Sequence, residues 1–248
     1  MKKVRFRKIV SSIKRNAKRL IHKIQGKQYV HLLHIGKTGG TAVKYALKYH
    51  LITDKYVIKL HRHKVRLRDL PKNDLVFFFL RDPISRFISG FYSRQRQGLP
   101  RYFFPWSPEE KAAFDYFDTP NKLAIALSSE HKQEKARAEK AMRSIFHVKD
   151  SYWKWFDNEQ YYHSRLCDIF FIGFQENLSE DFDLLKLKLG LPKSLELPTD
   201  DIQAHKNPEH LDKTLEERAI ENLKNWYKQD YAFLNLCKGI AERTNKIS

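Results

Sequence analysis

The 248-residue sequence predicts an α/β fold, a parallel sheet flanked by helices and preceded by a basic amphipathic helix. Three observations carry that expectation. The runs LVFFFL (75–80) and DIFFIGF (168–174) are continuously apolar, as strands buried on both faces of a parallel sheet are. A β-type run followed by a loop and a helix start occurs at residues 29–49 and again from residue 75, so two loops fall at the carboxyl ends of strands, where α/β folds form a crevice. A hydrophobic content of 42% over this length suffices for one sizeable core, so one domain, residues 29–248, with an appendage, residues 1–28, is expected.

Residues 1–27 hold eleven Lys/Arg and no acid, against a formal net charge of +18 for the chain. Phe6, Ile9, Val10, Ile13, Ala17, Leu20, Ile21 and Ile24 recur at three- and four-residue spacing, which gathers them on one helical face. A basic amphipathic helix of this kind can lie in the headgroup region of an anionic membrane. A helix docked on the protein's own body and a partly disordered arm are the competing readings. No run approaches the ~18 apolar residues that span a bilayer, and the N-terminus lacks the apolar core and cleavage site of a secretory signal. The expected location is cytoplasmic, or peripheral at the inner membrane face.

Residues 29–35 read as the first strand, and 40–49 as a helix with Val43, Ala46 and Leu47 inward. Residues 56–60 form a short strand that leads into the basic, histidine-bearing stretch LHRHK. Asp82 suits an N-cap and Pro83 the first helical position after the strand at 75–80. Ser107-Pro108-Glu109-Glu110 is a capping box and Thr119-Pro120 opens a further helix. Residues 129–146 are charged and read as a solvated surface helix, whereas 151–164 are dense in Trp and Tyr that fill a core. A helix over 178–189 ends at Gly190, a proline-interrupted loop covers 191–211, and helices over 214–227 and 230–237 follow. Cys167 and Cys237 read as reduced, buried thiols with no metal-ligand spacing around them.

The first loop is HIGKTGGT, residues 34–41. A strand, small residues with one lysine, and a helix start are the parts of an anion cradle, because N–H groups at a helix N-terminus lack intrahelical partners. Lys37 adds a mobile charge, and Thr38 and Thr41 add hydroxyls. A nucleotidase P-loop, G-x-x-x-x-G-K-[ST], would need glycine where the chain has His31. A second loop-helix unit reads RDPISRFISGFYSR, residues 81–94. Arg81 leaves the strand as a forked cation, and Ser85 and Ser89 fall one turn apart on the helix, which suits a second phosphate site.

Together the two motifs resemble the sulfotransferases that use 3′-phosphoadenosine 5′-phosphosulfate (PAPS), in particular the carbohydrate-type branch related to heparan sulfate 2-O-sulfotransferase. The resemblance covers residues 29–237 and includes FIGFQENL, His205-Lys206-Asn207-Pro208 and the stretch around Tyr231. It implies a P-loop-like sheet in which Thr38, Gly39, Gly40 and Thr41 hold the 5′-phosphate, and Lys37 steadies the leaving oxygen. Arg81, with Ser89 eight residues on, would hold the 3′-phosphate. No metal is implied. The base implied is a histidine between the motifs, His63 in preference to His61; histidine has the ordinary pKa nearest neutral. His31 and His34 read as packing or supporting residues, and His205, Lys206 and Asn207 as closing over the nucleotide.

The acceptor implied is a carbohydrate hydroxyl, with Arg101, Tyr102, Phe103, Phe104 and Trp106 offering stacking and charge, or else only anchoring their loop. Two rivals stand beside this reading. A P-loop kinase would press Asp82 into holding Mg²⁺. A nucleic-acid-binding protein is suggested by charge, but most of the excess sits in the arm and no binding module is present, so no specific nucleic acid is expected. Oligomeric state is not legible.

Overall fold

The structure, a computed structural model, describes residues 17–204, 207–208 and 210–245. Four strands, β1 (Gln28–Leu32), β2 (Tyr56–Leu60), β3 (Leu75–Leu80) and β4 (Ile169–Phe174), pair in the order β2-β1-β3-β4, every pair parallel. The chain runs outward from β1 to β2 and then crosses back to β3 and β4. The order therefore reverses between β1 and β3, the position at which parallel α/β sheets open a crevice at the carboxyl ends of their strands.

The two-residue period of β3 explains why LVFFFL is apolar throughout. Val76, Phe78 and Leu80 pack on one face with Leu33, Ile35, Trp155, Phe156 and Phe233, while Phe77 and Phe79 pack on the other with Val30, Leu32, Val43, Leu47 and Phe182. The second of these faces is covered by α1 (Gly40–Leu47) and α8 (Leu178–Leu189), the latter ended by Gly190 at φ 66. The first face is covered by α6 (Trp153–Phe156), α7 (Glu159–Ser164) and α11 (Lys228–Thr244). A third apolar cluster joins α2 (Pro83–Gln95), α3 (Pro108–Tyr116), α4 (Pro120–Ala126), α5 (Lys132–Ser144) and α10 (Glu217–Trp226) through Phe87, Phe91, Phe114, Leu123, Met142 and Leu223.

The caps fall where the sequence puts them. Asp82 accepts from the Ser85 N–H at 2.8 Å, and Ser107 and Glu110 form a reciprocal capping box. Several expectations are corrected. The strand at 29–35 becomes β1 at 28–32, and Leu33 and Ile35 are core residues without strand geometry. The charged segment 129–146 is not wholly solvated: α5 buries Ala138, Ala141 and Met142, small or flexible residues that let it lie against α3 and α4. Cys167 is exposed, because it sits in a 3₁₀ turn (Leu166–Asp168) ahead of β4, whereas Cys237 is buried in α11. The loop 191–211 carries a short helix, α9 (Asp201–Ala204), and the last helix runs on to Thr244.

Of the expected arm, residues 17–24 are helical; Phe6, Ile9, Val10 and Ile13 lie outside the described residues. Arg19 pairs with Asp74 and stacks on Tyr29 with its guanidinium 4.5 Å from the ring centroid, and His22 bonds the Tyr29 hydroxyl at 2.8 Å.

Candidate active site

A crevice of about 1380 Å³ opens at the carboxyl edge of the sheet. The segment after each strand contributes to its wall: Lys37, Gly39, Gly40 and Thr41 after β1, Arg62 and His63 after β2, Arg81, Ser85 and Ser89 after β3, and Gln175 after β4. Lys44 and Tyr45 on α1 and Lys48 at its C-cap, with Arg101, Tyr102, His147, Asn207 and Lys213, extend it. This wall has seven Lys/Arg and no Asp or Glu among the described residues, so its potential favours an anion.

The first loop is held in an unusual backbone path. Lys37 has φ 69 and Gly39 φ 83, the left-handed region that costs a side-chain-bearing residue energy. Ala42 and Val43 donate back to the Gly39 carbonyl, so Gly40 and Thr41 N–H have no intrahelical acceptor. A Cβ on Gly40 would lie 2.5 Å from the His34 ring, so only glycine lets that ring seat against the helix start. Thr41 faces the crevice. Thr38 does not: it is buried, and its hydroxyl donates to the Ile35 carbonyl at 3.1 Å, which folds the loop on itself. Beneath the loop, buried Arg86 donates from Nε to the Gly36 carbonyl at 3.0 Å and stacks over Tyr152 and Trp155.

Among the described residues, four buried cationic nitrogens have no hydrogen-bond partner: Lys37 Nζ, Arg81 Nε, Arg86 Nη2 and Arg96 Nε. Buried donors are normally paired, and an orphaned charge is costly. Burial first, then the charges of Arg81, Arg96 and Arg101, bring the Lys37 ammonium down to about 7. Burial also lowers Arg81. Of these four, Lys37 and Arg81 lie on the crevice wall, and they suit a ligand carrying anionic oxygens at two places, one at Lys37 and the Gly40 and Thr41 N–H groups, the other at Arg81 and Ser89. Asn207 braces this second place, accepting from Arg96 Nη2 at 2.7 Å and donating to the Ser89 carbonyl at 3.4 Å. His205 and Lys206 lie outside the described residues.

The two candidate histidines are held apart. His63 lies on the crevice wall, its Nδ1 3.2 Å from the His34 carbonyl and its carbonyl taking the Trp155 indole N–H at 2.9 Å. A carbonyl only accepts, so Nδ1 carries the hydrogen and the neutral ring keeps its lone pair on Nε2. Burial, opposed by that hydrogen bond and reinforced by Lys44, Lys37 and Lys154, brings His63 down to about 4. His61 stands outside the wall. Its Nε2 is 2.8 Å from His31 Nδ1, and His31 Nε2 is 2.9 Å from the Asp74 carboxylate, so it belongs to an Asp74–His31–His61 chain. Its pKa also falls to about 4, by burial and then the neighbouring His31, Lys44 and Lys59. His34 and His147 flank His63, with ring centroids 3.9 and 5.7 Å away, and burial holds His34 well below its ordinary range.

The aromatic loop divides. Arg101 and Tyr102 line the crevice. Phe104 packs on Arg94 and Phe146, and Trp106 donates to the Arg94 carbonyl at 2.6 Å, so these two anchor the loop. Asp82 is fully engaged: one carboxylate oxygen caps α2 and the other accepts from the Tyr231 hydroxyl at 2.8 Å. Sequence reasoning missed Arg86, Arg96 and His147. Arg86 carried a signal, an arginine inside the inward stripe of Phe87, Gly90 and Phe91; His147, brought in by a left-handed turn (φ 71) far along the chain, carried none.

No curated protein matches the chain closely enough for comparison. A family model described as "Sulfotransferase family" matches residues 22–236, a span that includes all four strands and every loop on the crevice wall. That span carries the switch-point loops whose cations line the crevice, and the chain belongs to the sulfotransferase family.

Proposed function

We propose that the protein transfers a sulfuryl group from PAPS to a hydroxyl of a carbohydrate or glycoconjugate, as a member of the carbohydrate-type branch. The observation that carries this reading is the set of orphaned cations, Lys37 and Arg81 foremost, on a wall shared with a neutral, tautomer-fixed His63. PAPS supplies an activated sulfuryl group on a good leaving phosphate. Lys37, with the N–H groups of Gly40 and Thr41, receives charge at the bridging oxygen as the S–O bond breaks, and Gly39 shapes the loop that carries them. His63 Nε2 takes the acceptor hydroxyl proton as the new O–S bond forms on the opposite side of sulfur. Arg81 and Ser89 hold the 3′-phosphate. Thr38 keeps the loop folded through Ile35, and its backbone N–H remains the part assigned to the 5′-phosphate.

Once Lys37 and Arg81 are assigned to the donor, Lys44, Lys48, Arg62, Arg101 and Lys213 remain on the wall. They suit an acidic saccharide, with Tyr102 offering a stacking face. A cytoplasmic protein held at a membrane surface by its arm completes the reading. The test is an assay with radiolabelled PAPS and a panel of acidic and neutral saccharides: label transferred to an acidic saccharide supports the proposal, and hydrolysis or transfer unaffected by saccharide contradicts it.

A further inference from the structure

The helical segment 17–24 lies on the body the wrong way round for a self-docked helix. At about 100° per residue, Leu20, Ile21 and Ile24 share one stripe, and Arg19 and His22 lie on the opposite side. The contacts with the body, Arg19 to Asp74 and Tyr29 and His22 to Tyr29, come from that polar side. The apolar stripe faces solvent, with Leu20 60%, Ile21 52% and Ile24 78% exposed. An amphipathic helix that rests on its own protein puts its apolar face inward. This one is turned outward and fixed there by a charge pair.

A second set of exposed apolar residues adjoins it. Lys27, just beyond the helix, donates to the Thr53 and Asp54 carbonyls, and Gln28 N–H donates to the Lys55 carbonyl at 2.9 Å. Leu51 and Ile52, 39% and 60% exposed, precede that stretch. Asp74 and the turn 53–55 immediately precede β3 and β2, so the helix lies at the N-terminal edge of the parallel sheet, the edge opposite the crevice. Leu51 and Ile52 double back along the outer side of β2, where Ile52 bridges Val57 and the Leu51 carbonyl takes the Ile58 N–H at 2.8 Å.

We propose that the protein docks on an anionic lipid bilayer through Leu20, Ile21 and Ile24 together with Leu51 and Ile52, with its crevice turned away from the bilayer. Charge complementarity selects this occupant: residues 1–27 carry eleven Lys/Arg and no acid, which repels a second copy and favours anionic headgroups. No described helix is long and apolar enough to cross a membrane, so the contact is interfacial. A five-residue strand spans about 17 Å, which sets the crevice mouth clear of the headgroups and open to a water-borne acceptor. The proposal deepens the membrane part of the functional reading and owes nothing to the donor, so it can fail while sulfuryl transfer stands.

The test is flotation of the full chain with vesicles of phosphatidylcholine alone and of phosphatidylcholine with phosphatidylglycerol at roughly three to one. The expected result is flotation only with the anionic vesicles, reduced at least about tenfold by Leu20→Glu with Ile24→Glu and more weakly by Ile52→Glu, with melting temperature unchanged. Vesicle-bound protein keeps the affinity for adenosine 3′,5′-bisphosphate that it has in solution. Failure to float, or flotation unaffected by the Glu substitutions, overturns the docking surface. A dimer in lipid-free sedimentation that the same substitutions dissociate shows that a second copy covers the stripe, and also overturns it. Loss of nucleotide affinity only on vesicles overturns the orientation.

Discussion

Lys37 is the residue whose chemistry is most constrained. Its pKa is lowered from 10.5 to about 7, so between those values the unfolded chain holds a proton that the folded one has released, and stability contributed by this group rises with pH across that window. An anionic ligand at Nζ returns the proton. Binding of adenosine 3′,5′-bisphosphate at pH 8 should therefore take up close to one proton, measured by calorimetry in buffers of differing ionisation enthalpy; Lys37→Met should abolish the uptake. In free enzyme, kcat/KM should rise through about 4 as His63 loses its proton and fall above about 7 as Lys37 loses its own. His63→Ala should lower kcat roughly 10²–10⁴-fold with nucleotide affinity nearly intact, whereas His61→Ala should retain most turnover. The reverse pattern would reassign the base to the Asp74–His31–His61 chain. At this scale the sequence pointed to Lys37, Arg81, Ser89 and His63, each in or beside a short motif, and the fold brings the four together on the crevice wall. It misread Cys167 and could not show that the Thr38 hydroxyl turns inward, because local exposure and hydroxyl direction depend on neighbours distant in sequence.

Among the elements, α2 does two jobs with one sequence. Its start is capped by Asp82, its inner stripe places Arg86 under the first loop, and Ser85 and Ser89 face the crevice. Asp82→Ala should cost about 1 kcal/mol through the lost cap, lowering the melting temperature by a few degrees in a chain of this size, while nucleotide affinity stays within a few-fold. A kinase that used Asp82 to hold Mg²⁺ would instead lose nucleotide binding. The strands, α1, α2 and α8 were readable from continuous apolar runs, caps and the Gly190 terminator. The burial of α5 was less so, since Ala138 and Ala141 give little hydrophobic signal and dock only because partner helices approach closely. The outward stripe of residues 17–24 likewise became visible only once Arg19 was seen on Asp74.

For the whole molecule, the sequence concentrates positive charge in residues 1–27 and on the crevice wall, the described part of the arm, residues 17–27, lies at the edge of the sheet opposite the crevice, and each has its own anionic partner in this account. A general affinity for nucleic acid would instead follow the summed charge and weaken steeply with salt. The central claim is that the crevice recognises a nucleotide with separate 3′ and 5′ anionic groups, and calorimetric titration with adenosine 3′,5′-bisphosphate, adenosine 5′-monophosphate and ATP with Mg²⁺ tests it most directly. The account predicts that the bisphosphate binds tightest, with loss of the 3′-phosphate or Arg81→Ala each costing roughly 10–150-fold. Equal affinity for the bisphosphate and the monophosphate, or preference for ATP with Mg²⁺, would contradict it.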